Sequence, residues 1–289
     1  MLNKMKLTGI VFLLLALNLN VLHAQVNLND CLFTPEDKSL AETKLSAFKA
    51  KSDMPLADLI AEIGLSFLGT PYVAATLENG VEEKLVVNLR QLDCTTFAET
   101  CLALARTVKL GKTDFETYVS ELERLRYRDG VRNQYLSRLH YFSEWIHNNA
   151  EKKIVSEEPN LQGVKSDKVI NFMSTHPNSY PVLKASPELI PALSVLEKEV
   201  TAAGFYYFPK NNPENLLRNL KHGDIIALTS AINGIDVNHV GIIVLKNNQF
   251  HLLHASQTGE KVVLSEGPVT EFIEPESKNT GIIIARPVF

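Results

Sequence analysis

Charge of a single sign is missing from this 289-residue sequence: 29 Lys and Arg stand against 33 Asp and Glu, mixed along the chain, for a net of −4. Without a basic block or stripe it lacks the electrostatic footprint of a nucleic-acid binder. Cysteine is scarce, with only Cys31, Cys94 and Cys101, an odd number without paired spacing, so at least one thiol stays free and a disulfide scaffold is excluded. There is no CxxC pair and no HExxH helix, which leaves a thiolate zinc site or a zincin without support, and nothing in the sequence requires a cofactor. Repeats and low-complexity tracts are also missing. With 45% apolar and 21% charged residues, the chain is composed like an ordinary globular protein, not a disordered tail or a collagen.

Long apolar runs are confined to the start. Lys4 and Lys6 precede the run Leu7 to Leu17, and Val21-Leu22-His23-Ala24 places a small residue before a possible cut, the pattern of a secretory signal peptide. The run is short for a membrane span and no second stretch of about 20 apolar residues follows, so the expectation is an exported chain, periplasmic, without an integral span after cleavage. Residues 1–24 are expected to be the leader and 25–289 a single catalytic domain, helical over about 31–218 and strand-rich over 219–289.

The helical half is read from apolar spacing. Ser52 or Asp53 can cap a helix carrying Leu56, Ile60, Ile63 and Phe67, which Gly69 ends. A helix opening at Cys94 carries Phe97, Cys101, Leu104, Ala105 and Val108 on one stripe, closed by Gly111. Thr113 and Glu116 form a capping box for a third helix through about Arg126. Tyr135 to His147 reads as a fourth. Five prolines between Pro177 and Pro209 break the next stretch into loops, with one helix near Ala192 to Val200. Strands follow at Asp224–Thr229, His239–Leu245, Gln249–Ala255, Lys261–Ser265 and Gly281–Arg286, with turns at Asn247-Asn248 and Thr258-Gly259. Helices first and strands later indicate an α+β fold rather than alternating βαβ units.

Cys94 is the first candidate for chemistry. A thiol in the first turn of a helix meets unpaired N–H groups and the positive end of the helix dipole, which favour the nucleophilic thiolate. The plainer reading of a free Cys is a small buried hydrophobe, and Cys101, seven positions on and within the apolar stripe, fits that description. The two lie about 10 Å apart along the helix, too far for a disulfide. A thiol needs a base, and the strands supply histidines. His239 opens HVGIIVL, and His254 shares a strand face with Phe250 and Leu252. His251 and His254 point to opposite faces and cannot chelate one metal. His140, His147, His176, His222 and His251 read as surface or structural.

GTPY at 69–72, DC at 93–94, HGDIIAL at 222–228, HVGIIV at 239–244 and HLLHAS at 251–256 resemble, in this order, the motifs of the NlpC-type, papain-like cell-wall cysteine peptidases. LDCTTF, YRDG and SRLHYFSEW are similar to the N-acetylmuramoyl-L-alanine amidase-like branch of that superfamily. The resemblance implies a papain-like fold in which a helical half packs on an antiparallel sheet or barrel. It implies Cys94 as nucleophile, His239 as general base and His254 as the residue orienting it, with Tyr72 and Asp93 near the reacting carbonyl. Two features depart from the wider family: Thr95 and Thr96 replace the usual Ser and Gly after DC, and roughly 145 residues separate Cys94 from His239. The long insertion is compatible with the amidase-like branch.

The implied reaction is acyl transfer at the amide joining N-acetylmuramic acid to L-Ala, on peptidoglycan fragments including anhydromuropeptides. Thr95, Tyr127, Asp129, Arg138 and Tyr141 are expected at the substrate, since Arg, Asp and Tyr suit sugar hydroxyls and stem-peptide carboxylates, with Arg138 the preferred carboxylate ligand. Three other readings compete. One is a γ-D-glutamyl-diamino acid endopeptidase with the same triad. Another is a glycoside hydrolase using a carboxylate pair such as Glu99 and Asp129. The third is a non-catalytic wall-binding module.

Overall fold

The computed structural model describes residues 26–78, 80, 82–274 and 278–289, and the leader read over Lys4 to Ala24 lies outside them. A short strand β1 (Cys31–Leu32) precedes helix α1 (Pro35–Phe48), whose start is fixed by a reciprocal cap between Thr34 and Asp37. Helix α2 (Leu56–Leu65) begins after Pro55, with no side chain capping it, so neither Ser52 nor Asp53 takes the expected role. The carbonyl of Ser52 accepts instead from Lys109. Strand β2 (Leu85–Val86) lies parallel to β1. Helix α3 (Cys94–Lys109) follows, then α4 (Phe115–Arg126), capped by Asp114 rather than by a Thr113–Glu116 box.

The expected helix from Tyr135 to His147 is divided. Tyr135–Ser137 forms one tight turn, Arg138 is extended and bridges Tyr127, and α5 runs over Phe142–Glu151. The proline-rich stretch is more ordered than its sequence suggests. It holds strands β3 (Val155–Ser156) and β4 (Val164–Lys165), helices α6 (Phe172–Thr175), α7 (Pro181–Ala185) and α8 (Ile190–Ala203), strand β5 (Tyr206–Pro209) and helix α9 (Pro213–Asn219). Prolines occupy the first turns of α7, α8 and α9, where a missing N–H costs nothing.

The last third supplies β6 (Ile225–Ser230), β7 (Val237–Lys246), β8 (Gln249–Ser256), β9 (Lys261–Leu264) and β10 (Asn279–Pro287). Each falls within two residues of its expected bounds. Asn247 and Asn248 both adopt positive φ, as the tight β7–β8 hairpin requires. The sheet is antiparallel with order β4-β5-β10-β6-β7-β8-β9, and β3 joins it against β10. Three strands of this sheet, β3, β4 and β5, therefore come from the part expected to be helical.

Helix and sheet together give a mixed, α+β architecture. One sheet face, with Ile225, Ala227, Ile242, Val244 and Leu253, packs against the helices in one large core. The other face, with Ile226, Leu228, Ile243 and Leu252, is covered by Leu216 of α9 and by the turn Val269–Ile273. Burial on both faces explains why these strands read as unbroken apolar runs. Helix α3 lies between α1, α2 and α4 on one side and β7 and β8 on the other, so every residue from Thr96 to Val108 is buried, polar ones included. Fully burying each large apolar side chain here contributes roughly 1.5–3 kcal/mol.

The HGD sequence at 222–224 is a structural turn. His222 Nδ1 accepts from the N–H of Leu245, and Asp224 receives a two-pronged contact from Arg286, both bonds 2.8 Å. Gly223 has φ +78° and lies so close to α2 that an added Cβ would sit 2.3 Å from the carbonyl oxygen of Ala57.

Candidate active site

Asp93 and Thr96 place Cys94. The Asp93 carboxylate accepts the N–H of Thr96 at 2.8 Å and the Thr96 hydroxyl accepts the N–H of Asp93 at 2.9 Å, so the helix cannot begin one residue earlier or later without losing both bonds. Cys94 is thereby the first helical residue, half-buried against the sheet, and all three cysteines are free thiols.

Strands β7 and β8 pair from Lys246–Gln249 to Ile242–Leu253, where the ladder ends. The N–H of Ile243 points the other way, to the carbonyl of Asp224, so by alternation the N–H of Val240 faces the β8 side. The N–H of Val240 favours the Cys94 thiolate, as do the hydroxyl and N–H of Thr95. The thiol therefore faces Val240, the residue that follows His239.

Each of those strands carries one of the two candidate imidazoles. Leu228 pairs with His239 but Thr229 with Val237, so Asn238 is the extra residue of a β-bulge immediately before His239. Bulges redirect the side chain that follows them. His239 Nε2 lies 2.6 Å from His254 Nδ1, the rings perpendicular at a centroid distance of 4.7 Å. Phe272 stands edge-on to His254 at 5.5 Å. Nε2 of His239 is thus engaged with His254, and Nδ1 is its other ring nitrogen.

Burial favours the neutral form of every member. It pushes the Cys94 thiol up to about 11, with the Asp93 carboxylate adding to the effect and the donors on the sulfur opposing it. It also pushes His239 down to about 3, aided by His254, and His254 down to about 4. At neutral pH the site therefore holds a thiol and two neutral imidazoles. The helix terminus alone had suggested a thiolate; desolvation outweighs it here.

Tyr72 joins this group. Its strand-like segment is held by bonds from its N–H to the carbonyl of Glu260 and from the N–H of Val73 to that of Leu92. Burial, Cys94 and Asp93 raise its hydroxyl pKa, so it remains protonated at neutral pH. Tyr72, Asp93, Cys94 and Thr95 thus act on one another, and Val240 joins Cys94 to the strand that carries His239.

The other expected substrate contacts are engaged inside the protein. The Arg138 guanidinium is buried against Glu78 at 2.6 Å, Glu83 at 3.6 Å and the carbonyl of Leu77, so it is not a free carboxylate ligand. Tyr127 donates its hydroxyl to Glu83 at 2.8 Å, and Tyr141 donates to Glu197 at 2.7 Å. Asp129, at positive φ, exchanges bonds with Asn148. Glu99 is committed to Arg126 at 2.8 Å and to the Trp145 indole at 3.1 Å, which leaves no two-carboxylate site with Asp129.

Sequence reasoning missed Gly241 and Asp236. A Cβ on Gly241 would sit 3.1 Å from that of His254 and 2.9 Å from the carbonyl oxygen of Leu253. A glycine inside a strand is the available signal for such a close approach. Buried Asp236 accepts the N–H of Ser143 and of Val237, each at 2.7 Å, tying the entry of β7 to α5. Its sequence surroundings carry no comparable signal. Among the described residues no group of three or more His, Cys, Asp or Glu is placed to hold a metal, and no helix is long and apolar enough to cross a membrane.

The family model described as N-acetylmuramoyl-L-alanine amidase-like matches residues 62–282. An N-acetylmuramoyl-L-alanine amidase structure from Bacteroides uniformis is 35% identical, covers 81% of this chain and 99% of its own, and superposes with a TM-score of 0.77. A Bacteroides fragilis structure provisionally described as a xylanase is 38% identical over 77% of this chain and 98% of its own, TM-score 0.72. A Legionella pneumophila protein at 18% identity, covering 87% of this chain and 97% of its own, TM-score 0.65, shares the fold. Comparison with curated protein sequences gives no match.

Proposed function

The chain belongs to the N-acetylmuramoyl-L-alanine amidase-like family, and from that premise we propose that it hydrolyses the amide between N-acetylmuramic acid and L-Ala in soluble muropeptides, anhydromuropeptides included, through a Cys94–His239–His254 relay. The observation that carries this reading is the 2.6 Å bond between His239 and His254, with Cys94 facing Val240, the residue that follows His239. On this reading the fold is of the papain-like NlpC type, residues 25–289 form one catalytic domain, and the leader directs the protein to the periplasm.

Chemistry starts from the neutral pair. As Cys94 Sγ attacks the muramoyl carbonyl, its proton passes to His239 Nδ1, and the bond from His239 Nε2 to His254 holds the ring in line. The S–C bond forms and the C=O electrons move onto oxygen, where the Cys94 N–H is a suitable donor; losing one such donor typically costs about 10²–10³ in rate. The intermediate collapses as the C–N bond breaks and His239 returns its proton to the leaving L-Ala nitrogen. Water, deprotonated by His239, then attacks the thioester carbonyl and releases the lactyl carboxylate and the thiol.

A muropeptide digest read by mass spectrometry, with wild type beside Cys94→Ala, tests this. Free disaccharide and an intact stem peptide are expected from wild type, and near-complete loss of both from the variant. A shortened stem still bearing sugar would assign the γ-D-glutamyl-diamino acid endopeptidase reaction instead. Cleavage between sugars that survives Cys94→Ala would favour the glycosidase description carried by the B. fragilis relative. Binding without turnover, unaffected by the variant, would leave a wall-binding module.

A further inference from the structure

A cavity of about 550 Å³ opens beside the connection between β6 and β7, the same connection that leads into the bulge at Asn238 and His239. Its polar lining is mostly neutral: Asn171, Asn233, Thr229 and Thr280 offer amides and hydroxyls, and Phe205 and Tyr207 offer aromatic surface. Its charged lining residues are one anion, Asp167, and one cation, Lys168, whose amine already donates to the carbonyl of Ser230. The walls are fixed. Thr229 and Thr280 hydroxyls are 2.6 Å apart, and the N–H groups of Asn171 and Phe172 both bond the carbonyl of Gly234. Gly234 has φ +81°, and a Cβ there would fall 2.7 Å from the side-chain oxygen of Asn171.

The cavity lies within reach of the candidate site. Thr229 follows Leu228, the cross-strand partner of His239. One residue step of 3.8 Å and one rung of about 5 Å put its Cα within roughly 9 Å of that of His239. Phe205 and Tyr207 pack against the helical-side core, as Cys94 does.

We infer that this cavity is a saccharide subsite, taking the acyl side of the substrate; the inference rests on the amidase reading above. In a muropeptide the ionised groups belong to the stem peptide, whereas the amino sugar, with its lactyl group held as an amide, is uncharged and rich in hydroxyl and acetamido groups. A lining of neutral donors and acceptors beside aromatic rings, with its single cation already engaged, matches the sugar and gives stem carboxylates no partner.

Two measurements test this. Steady-state hydrolysis is compared for a disaccharide muropeptide and for the same stem carrying a lactyl group without sugar, using wild type, Asn171→Ala and Asn233→Ala; both asparagines are exposed. Each variant should raise KM for the sugar-bearing substrate about 5- to 10-fold, the loss of one neutral hydrogen bond, with kcat and the sugar-free reaction unchanged. Equal effects on both substrates, or none, would overturn the subsite. In the second measurement, calorimetric titration of Cys94→Ala protein with the disaccharide as its lactyl methylamide should show binding that the added asparagine changes weaken. Absence of that binding from a preparation whose wild-type parent cleaves muropeptides overturns the subsite and leaves the amidase reading standing. Asparagine-dependent binding without any hydrolysis by wild type does the reverse.

Discussion

Asp93 acts on Cys94 in two opposing ways. Its carboxylate oxygen starts α3, which aims the thiol at β7, while its charge adds to the burial that pushes that thiol up to about 11. Asparagine can accept the same Thr96 N–H, so Asp93→Asn separates the two effects. The wild-type thiol should alkylate with iodoacetamide at a rate that climbs steadily with pH toward 11, without a plateau between pH 5 and 8. Asp93→Asn should react faster at pH 8, by roughly tenfold if the charge accounts for one pKa unit. A low-pH plateau in the wild-type profile would instead reveal a resting thiolate–imidazolium pair and contradict the neutral site. Tyr72, held protonated by the same burial and the same two neighbours, would then lie beside a charged sulfur, so the alkylation profile bears on both residues.

At the scale of elements, α3 shows what the sequence discloses and what it conceals. Its start at Cys94 and its stripe through Phe97, Cys101 and Val108 follow from spacing alone, as do the five carboxy-terminal strands, because periodicity is a local property. His239 and His254 lie on neighbouring strands, so their nearness to each other follows from the hairpin, whereas the link to Cys94 spans roughly 145 residues, and only the order of the motifs in the sequence points to it. The interior fate of Arg138, Tyr127, Tyr141 and Glu99 was hidden for a related reason. A charge on a helix looks solvated until its partner is known, and Glu99 meets Arg126 and Trp145 on two other helices. The Arg126 guanidinium also bonds the carbonyl of Val86, holding β2 to the same buried node. Removing one member leaves an uncompensated charge, so Glu99→Ala should lower unfolding free energy by about 3–5 kcal/mol in a urea titration. Activity per folded molecule should persist. Loss of activity at full stability would give Glu99 a chemical role that its contacts do not support.

For the whole molecule, the candidate site makes folding sensitive to acid. His239 and His254 are held neutral by burial, with pKa values near 3 and 4, whereas in the unfolded chain each titrates near 6.5. On acidification the unfolded chain therefore takes up protons first, and stability present above about pH 6.5 is lost as the pH falls toward the folded values. At pH 5 the loss is about 2 kcal/mol for each histidine, from 1.36 kcal/mol per pH unit. Asp224, Asp236, Glu83 and Glu144 work in the opposite direction, because burial raises their pKa values and the folded state binds their protons more tightly. His140, pushed well below its ordinary value by burial, and Asp37 and Asp114, where burial is outweighed by hydrogen bonds that hold their pKa values down, act in the same direction as the site histidines. The parent profile is the sum of all of these, but a difference between variants isolates the site histidines. His254→Asn removes one titrating group and its effect on His239, so the stability lost between pH 7 and pH 5 should shrink by about 2 kcal/mol or more relative to wild type in urea titrations at the two pH values. An unchanged loss would mean that His254 titrates normally in the folded protein, and so that it is hydrated rather than packed between His239 and Phe272.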